Sequence, residues 1–131
     1  MSKTIIWIED DTDIIDPVVR PLELAGYNIV RLNTAHDALN AIDQIRSADL
    51  ILLDMILRPG NTDREFSRYS GLDVLRELRS VHQIDNPVIA FTVVVRDEIR
   101  QRLHELGVAD IVRKPVRPSE LKERVEHVLN L

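Results

Sequence analysis

Leu50–Asp54 reads Leu-Ile-Leu-Leu-Asp, four apolar residues that lead directly into a carboxylate. A short apolar run between polar residues indicates a strand that is covered on both faces. In an open α/β sheet, ligands bind in the crevice at the carboxyl ends of the strands. We therefore expect Asp54 to lie at the rim of a sheet and to be the reactive residue of the chain.

Apolar runs and amphipathic segments alternate on either side of this stretch. The predicted strands are Thr4–Ile8, Tyr27–Leu32, Asp49–Leu53, Pro87–Thr92 and Ala109–Val112. Five helices are predicted between and after them. The first runs from caps at Asp11, Thr12 or Asp13 to about Ala25, and we expect Pro21 to bend or interrupt it. Alternation of this kind indicates right-handed crossovers and a parallel sheet with helices on both faces.

The other four helices show one apolar face each. Thr34 caps a helix that presents Ala35, Ala38, Leu39, Ile42 and Ile45 on one side, and the next turns Leu72, Leu75, Leu78 and Val81 or His82 inward. Arg96–Leu106 is predicted to end at Gly107, and Ser119 begins the last helix as a cap or first-turn residue. The apolar faces predict one core layer on each side of the sheet.

Bulk composition excludes several classes of function. The chain has 131 residues and a net charge of −5, which indicates one domain without the basic face that nucleic acid requires. Cysteine is absent, so a disulfide framework and thiolate metal sites are excluded. The polar start shows no signal peptide, and the longest apolar stretch, Val88–Val95, is too short to span a bilayer. We expect a soluble, cytoplasmic protein that binds neither nucleic acid nor membrane.

Polar side chains follow four of the predicted strands. Glu9 and Asp10 follow the first strand, Asp54 the third, Thr92 ends the fourth, and Lys114 comes after the fifth. Each residue alone has an ordinary explanation as a helix cap, strand end or surface residue, but strand ends meet at one edge. Three carboxylates in one crevice repel unless a cation intervenes, and oxygen ligands favour Mg²⁺. A carboxylate nucleophile, a metal, a lysine and a hydroxyl donor are the parts of a phosphoryl-transfer site.

In their order and spacing, these motifs resemble the receiver domains of two-component response regulators. The resemblance runs from Lys3 to about Leu129, and its last motif is the pair Lys114-Pro115. It implies a flavodoxin-like, doubly wound α/β fold with a five-stranded parallel sheet in the order 2-1-3-4-5. It also implies a cis peptide bond at Lys114-Pro115.

By the same resemblance, Asp10 and Asp54 bind Mg²⁺ directly, the main-chain carbonyl of Ile56 adds a ligand, and Glu9 acts through water. Asp54 is then the phosphoacceptor, assisted by Thr92 and Lys114. The implied function is that of a phosphorelay switch, not an enzyme with a separate substrate. A sensor histidine kinase or a phosphotransfer protein would be the donor, and an unknown downstream protein the recipient of the signal.

We expect residues 1–131 to form a single receiver domain of the stand-alone type, since no sequence remains after the last helix for an output domain. The chain departs from the family in its lengthened loop at about residues 57–70. Val93 follows the switch threonine where a small residue is usual, and Ile111 stands where an aromatic residue is common. The segment Arg58–Tyr69 is expected to be either a disordered, solvated loop or a contact for a partner.

By the same resemblance, the positions from which a polar side chain could orient a hydrolytic water are two residues beyond Asp54 and two beyond Thr92, and here they hold the apolar residues Ile56 and Val94. We therefore expect slow loss of the phosphoryl group. One alternative function is a receiver-like interaction module that works without phosphorylation. Another is an aspartate-nucleophile phosphatase, which often has a second acid two positions after the nucleophile, where this chain has Ile56. Nucleotide-binding motifs of the GxxxxGK[ST] and GxGxxG types are absent.

Overall fold

Strands and helices alternate throughout the computed structural model. The structure describes residues 2–93 and 96–130, except for the side chains of residues 12–15. The strands are β1 (Thr4–Ile8), β2 (Asn28–Leu32), β3 (Leu50–Asp54), β4 (Val88–Thr92) and β5 (Asp110–Arg113). The helices are α1 (Thr12–Leu24), α2 (Ala35–Leu39), α3 (Ile42–Arg46), α4 (Ser70–Ser80), α5 (Asp97–Glu105) and α6 (Pro118–Leu129). Within these described residues, we find no helix with both the length and the apolar character needed to cross a bilayer.

The strands form one parallel sheet in the order β2-β1-β3-β4-β5, which confirms the predicted order. The central strand is β3, where Ile51 lies beside Ile6 of β1 and Val88 of β4. At the carboxyl end of the strand, Asp54 pairs with Phe91. The reactive carboxylate predicted from the sequence is therefore at the middle of the sheet's carboxyl edge.

Two apolar layers cover the sheet. Ile51 and Leu53 point into a layer built with residues of α2, α3, α4 and α5, and Leu50 and Leu52 into a layer built with α1 and α6. All four residues are fully buried. At about 1.5–3 kcal/mol for each buried leucine or isoleucine side chain, this strand is a main source of stability. Trp7 belongs to the second layer and stacks on Phe91, with ring centroids 5.5 Å apart.

Two helix predictions need correction. The first concerns α1, which continues through Pro17 and Pro21, so an interruption at Pro21 is excluded, while the predicted bend stays a prediction. Pro21 removes one backbone donor, but Val19 and Leu22 on either side of it are buried, and their packing holds the segment against the sheet. The cap candidates Thr12 and Asp13 have side chains outside the described part of the structure.

The second correction concerns the predicted helix after Thr34, which is split into α2 and α3. Thr34 does cap α2, because its Oγ1 accepts a hydrogen bond from the amide of Asp37 at 3.0 Å. Asn40 then leaves the helical conformation at φ −93° and ψ 0°, and the amide of Ala41 bonds the carbonyl of Ala38 in a tighter turn. In α4, Leu72, Leu75 and Leu78 are buried as predicted, but Val81 lies past the helix end and is exposed.

The loop between β3 and α4 is packed on the domain, which does not fit the disordered alternative. At its start, the amides of Ala35 and His36 bond the carbonyls of Arg58 and Pro59 at 3.0 and 2.9 Å. At its end, the buried Ser70 hydroxyl bonds both main-chain groups of Leu57. Phe66 and Tyr69 pack against the core. Contact with a partner remains a prediction.

Candidate functional site

Three carboxylates meet at the carboxyl edge of the sheet. Glu9 and Asp10 follow β1, and Asp54 ends the neighbouring β3, so adjacent strands bring them together. One oxygen from each lies within 4.8 Å of the others. Glu9 is only 1% exposed, and Asp54 is also buried. With Asp11, Ile56, Thr92, Val93 and Lys114, they line a cleft of about 240 Å³.

Lys114 joins two of the three acids. Its Nζ lies 2.5 Å from Glu9 Oε2 and 3.0 Å from Asp54 Oδ2, and its side chain is 13% exposed. Its amide bonds the Thr92 carbonyl at 2.9 Å, and the Lys114–Pro115 bond is cis, as the resemblance implied. Burial alone would lower the pKa of this ammonium, but its bonds to Glu9 and Asp54 raise it overall. Lys114 is therefore a cation held in the cleft.

The pKa of Glu9 reflects its burial first and the charges of its neighbours second. Burial raises the pKa of Glu9 from 4.5 to about 7, against the opposing hydrogen bond from Lys114, and the charge of Asp54 raises it further. Glu9 Oε1 also accepts a bond from the amide of Asp11 at 3.2 Å. A divalent cation would relieve the repulsion among these carboxylates, so the donor set fits a hard ion such as Mg²⁺.

Asp10 has a basic neighbour that the sequence did not indicate. Arg58 approaches Asp10 Oδ2 with two donors, its main-chain amide at 3.2 Å and its Nε at 3.6 Å. Arg58 is four positions beyond Asp54, in a loop whose path no helical or strand periodicity encodes. It was predicted only as part of the Arg58–Tyr69 segment, not as a residue of the site.

Three of the remaining predicted residues, Ile56, Thr92 and Val93, line the cleft. Thr92 is buried at the end of β4, and the side chain of Ile56 is exposed at the cleft wall. Val93 is exposed and also lines a neighbouring apolar pocket of about 260 Å³ with Trp7 and Phe91. Ile111 packs against the first core layer. Val94 lies outside the described residues.

Gly71 is a second residue whose role sequence reasoning missed. It is the second residue of α4, next to the loop after Asp54, and its amide donates a hydrogen bond to the carbonyl of Met55 at 2.9 Å. A Cβ at this position would overlap the carbonyl oxygen of Asp54 and lie 2.7 Å from Met55 Cα. The missing side chain is what allows the helix to approach the carboxyl end of β3, where Asp54 lies, this closely.

The sequence matches a known protein family over almost its whole length. The family model for the response regulator receiver domain matches residues 5–126. The phosphate regulon transcriptional regulatory protein PhoB of Pseudomonas aeruginosa is 32% identical over 130 residues, and the transcriptional regulatory protein CpxR of Escherichia coli is 32% identical over 129. Each alignment covers 98% of this chain, which spans about half of those proteins, 52% and 50% of their lengths.

Solved structures of similar shape are receiver domains as well. The non-phosphorylated HemR receiver domain of Leptospira biflexa superposes with a TM-score of 0.83 at 27% identity, covering 99% of this chain and 96% of that one. The signal receiver domain of a putative Luxo repressor protein from Vibrio parahaemolyticus gives 0.81 at 25% identity, with 99% and 92% covered.

Proposed function

This chain belongs to the family of response regulator receiver domains, and we propose that it is a phosphoacceptor switch in which Asp54 takes the phosphoryl group. Receiver domains act as signalling switches in two-component systems and bind Mg²⁺ in an acidic pocket. The observation that carries the proposal is the position of Lys114, whose ammonium bridges Glu9 and Asp54 in a largely buried cleft. This pairing favours the phosphoacceptor over a receiver-like module that works without phosphorylation.

The proposed reaction is a transfer from a phosphohistidine of a histidine kinase or a phosphotransfer protein. An oxygen of Asp54 attacks phosphorus, the new P–O bond forms, and the P–N bond breaks as the imidazole leaves with the electron pair. Lys114 would neutralise an oxygen of the transferred group, and the hydroxyl of Thr92 would donate a hydrogen bond to another. The result is an acyl phosphate on Asp54.

Asp10, Asp54 and the main-chain carbonyl of Ile56 would hold the magnesium ion, with Glu9 acting through water. When bound, Mg²⁺ would offset the negative charge of the carboxylates and of the incoming phosphoryl oxygens. The proposal treats residues 1–131 as one receiver domain with a lengthened loop at about 57–70. A downstream protein would then read the phosphorylated state through contacts with the domain.

Mass spectrometry after incubation with acetyl phosphate and Mg²⁺ tests the assignment. We expect one added phosphoryl group on the wild type and none at this position in Asp54→Asn. Asp49→Asn is the matched control, because Asp49 lies just before the opposite end of the same strand and bonds the amide of Thr4. It should be modified like the wild type. Modification of the wild type that maps to another residue would contradict the proposal.

A further inference from the structure

We propose that Arg58 is a positioning residue of this site, and that its guanidinium is a counter-cation of Asp10 that Mg²⁺ must displace. The inference rests on the proposed function, because it concerns the same cation site. It makes the lengthened loop part of the site, since the loop supplies a charge that competes with the ion.

The first step is the way in which the backbone presents Arg58. Its carbonyl is bonded by the amide of Ala35, and Arg58 forms a parallel bridge with Thr34. After Pro59, Gly60 turns at φ +93°, where a Cβ would lie 2.5 Å from Thr34 Oγ1 and 2.9 Å from His36 Cβ. The turn therefore packs tightly on the start of α2. This contact fixes the direction from which Arg58 reaches the cleft.

The second step is the division of the basic groups among the acids. Lys114 contacts Glu9 and Asp54, and Arg58 contacts Asp10. Both donors of Arg58 approach the same oxygen, Asp10 Oδ2. Asp10 also contributes one oxygen to the cluster of possible ion ligands. An ion at this cluster and the guanidinium are thus attracted by the same carboxylate.

The third step is exposure, which makes this cation displaceable. The side chain of Arg58 is 80% exposed, whereas that of Lys114 is 13% exposed. Exposed ion pairs are weak and screened by salt. We therefore expect removal of the guanidinium to tighten Mg²⁺ binding only about 1.5- to 5-fold, with the effect shrinking at high ionic strength. The main-chain donor to Asp10 stays in place whatever the side chain.

The experiment measures the dissociation constant of Mg²⁺ by calorimetric titration of wild type, Arg58→Ala, Arg58→Lys and Arg68→Ala. Arg68 is the matched control, because it lies in the same loop and its guanidinium faces the ring of Tyr69. We expect tighter binding in Arg58→Ala, a value near wild type in Arg58→Lys, and little change in Arg68→Ala. Equal effects of Arg58→Ala and Arg68→Ala would overturn the inference, because only net charge would then matter.

Thermal unfolding separates this role from a structural one. Without divalent cations, Arg58→Ala should melt below the wild type, since the carboxylates have lost a counter-charge. Mg²⁺ should raise its melting temperature by more than it raises that of the wild type. An equal or smaller Mg²⁺ response would refute the inference. Failure of Mg²⁺ to bind the wild type at all would instead refute the proposed function.

Discussion

Replacing Glu9 by glutamine tests whether the ionised carboxylate of Glu9 destabilises the fold when no divalent cation is bound. Glutamine keeps the shape of the protonated carboxyl group but carries no charge at any pH. In the folded protein, burial raises the pKa of Glu9 from 4.5 to about 7. Between these values the native state holds a proton that the unfolded state has lost. Wild-type stability should therefore fall as the pH rises through this window, and remain low above it.

The magnitude follows from the pKa of Glu9 in the two states. At about 1.4 kcal/mol for each pH unit, the difference corresponds to about 3 kcal/mol. Because the side chain is 2% exposed, solvent screens this penalty little. In the absence of divalent cations, the unfolding free energy of Glu9→Gln relative to wild type should therefore increase by about 3 kcal/mol as the pH rises from about 4.5 to about 8.

Urea denaturation in EDTA at several pH values provides the measurement. Glu23→Gln is the control, since Glu23 is exposed on α1 and away from the cleft, and its curve should run parallel to that of wild type. Mg²⁺ should reduce the difference between wild type and Glu9→Gln, because it favours the ionised carboxylate. If the curves of wild type and Glu9→Gln stay parallel in EDTA, the reasoning that burial and the charge of Asp54 raise the pKa of Glu9 is wrong.

Three further predictions follow from the same geometry. At about 100 times its dissociation constant, Mg²⁺ should stabilise the wild type by about 2.7 kcal/mol, and Asp10→Asn should lose most of that gain at the same ion concentration, as measured by the shift in melting temperature. Gly71→Ala should destabilise the fold by about 1–3 kcal/mol in urea denaturation, although alanine favours helices, because its Cβ would overlap the backbone of Asp54; increased stability would show that the helix can move away. Ile56→Asn should speed the decay of purified phosphoprotein in Mg²⁺ several-fold by orienting water, and an unchanged lifetime would remove that explanation.

Periodicity predicted the fold because each layer of the core leaves a trace in the sequence. Leu50 to Leu53 alternate between two apolar layers, so they read as one unbroken run. The site was predictable for a related reason, since the ends of parallel strands share one edge. The break at Asn40 was not, because Ala38 before it and Ile45 after it both face the same core layer. A periodic pattern detects the face of a helix and not a change in its axis.

The two residues that sequence reasoning missed, Gly71 and Arg58, depend on close contacts between parts of the backbone that are distant in sequence. Gly71 at the start of α4 resembles an ordinary weak helix former, and only its distance from Met55 Cα shows why a side chain is excluded. Arg58 lies in a polar loop that contains charges of both signs, so its composition could not single out one arginine. What selects Arg58 is the pairing of its backbone with Thr34 and Ala35, a contact between distant parts of the chain.

The two cationic side chains of the site differ in exposure, since Lys114 is buried and Arg58 is exposed. The three clustered carboxylates against Lys114 and Arg58 leave one excess negative charge when Glu9 is ionised, and Asp11 is a further acid in the cleft wall. A proton on Glu9 and a divalent ion are two ways to offset it, so they act against each other. Lys114 is buried between two acids, with its ammonium 3.0 Å from Asp54 Oδ2. Arg58 is exposed, so under the inference above its guanidinium can leave Asp10 when an ion arrives, while the main-chain amide of Arg58 keeps its bond to that carboxylate.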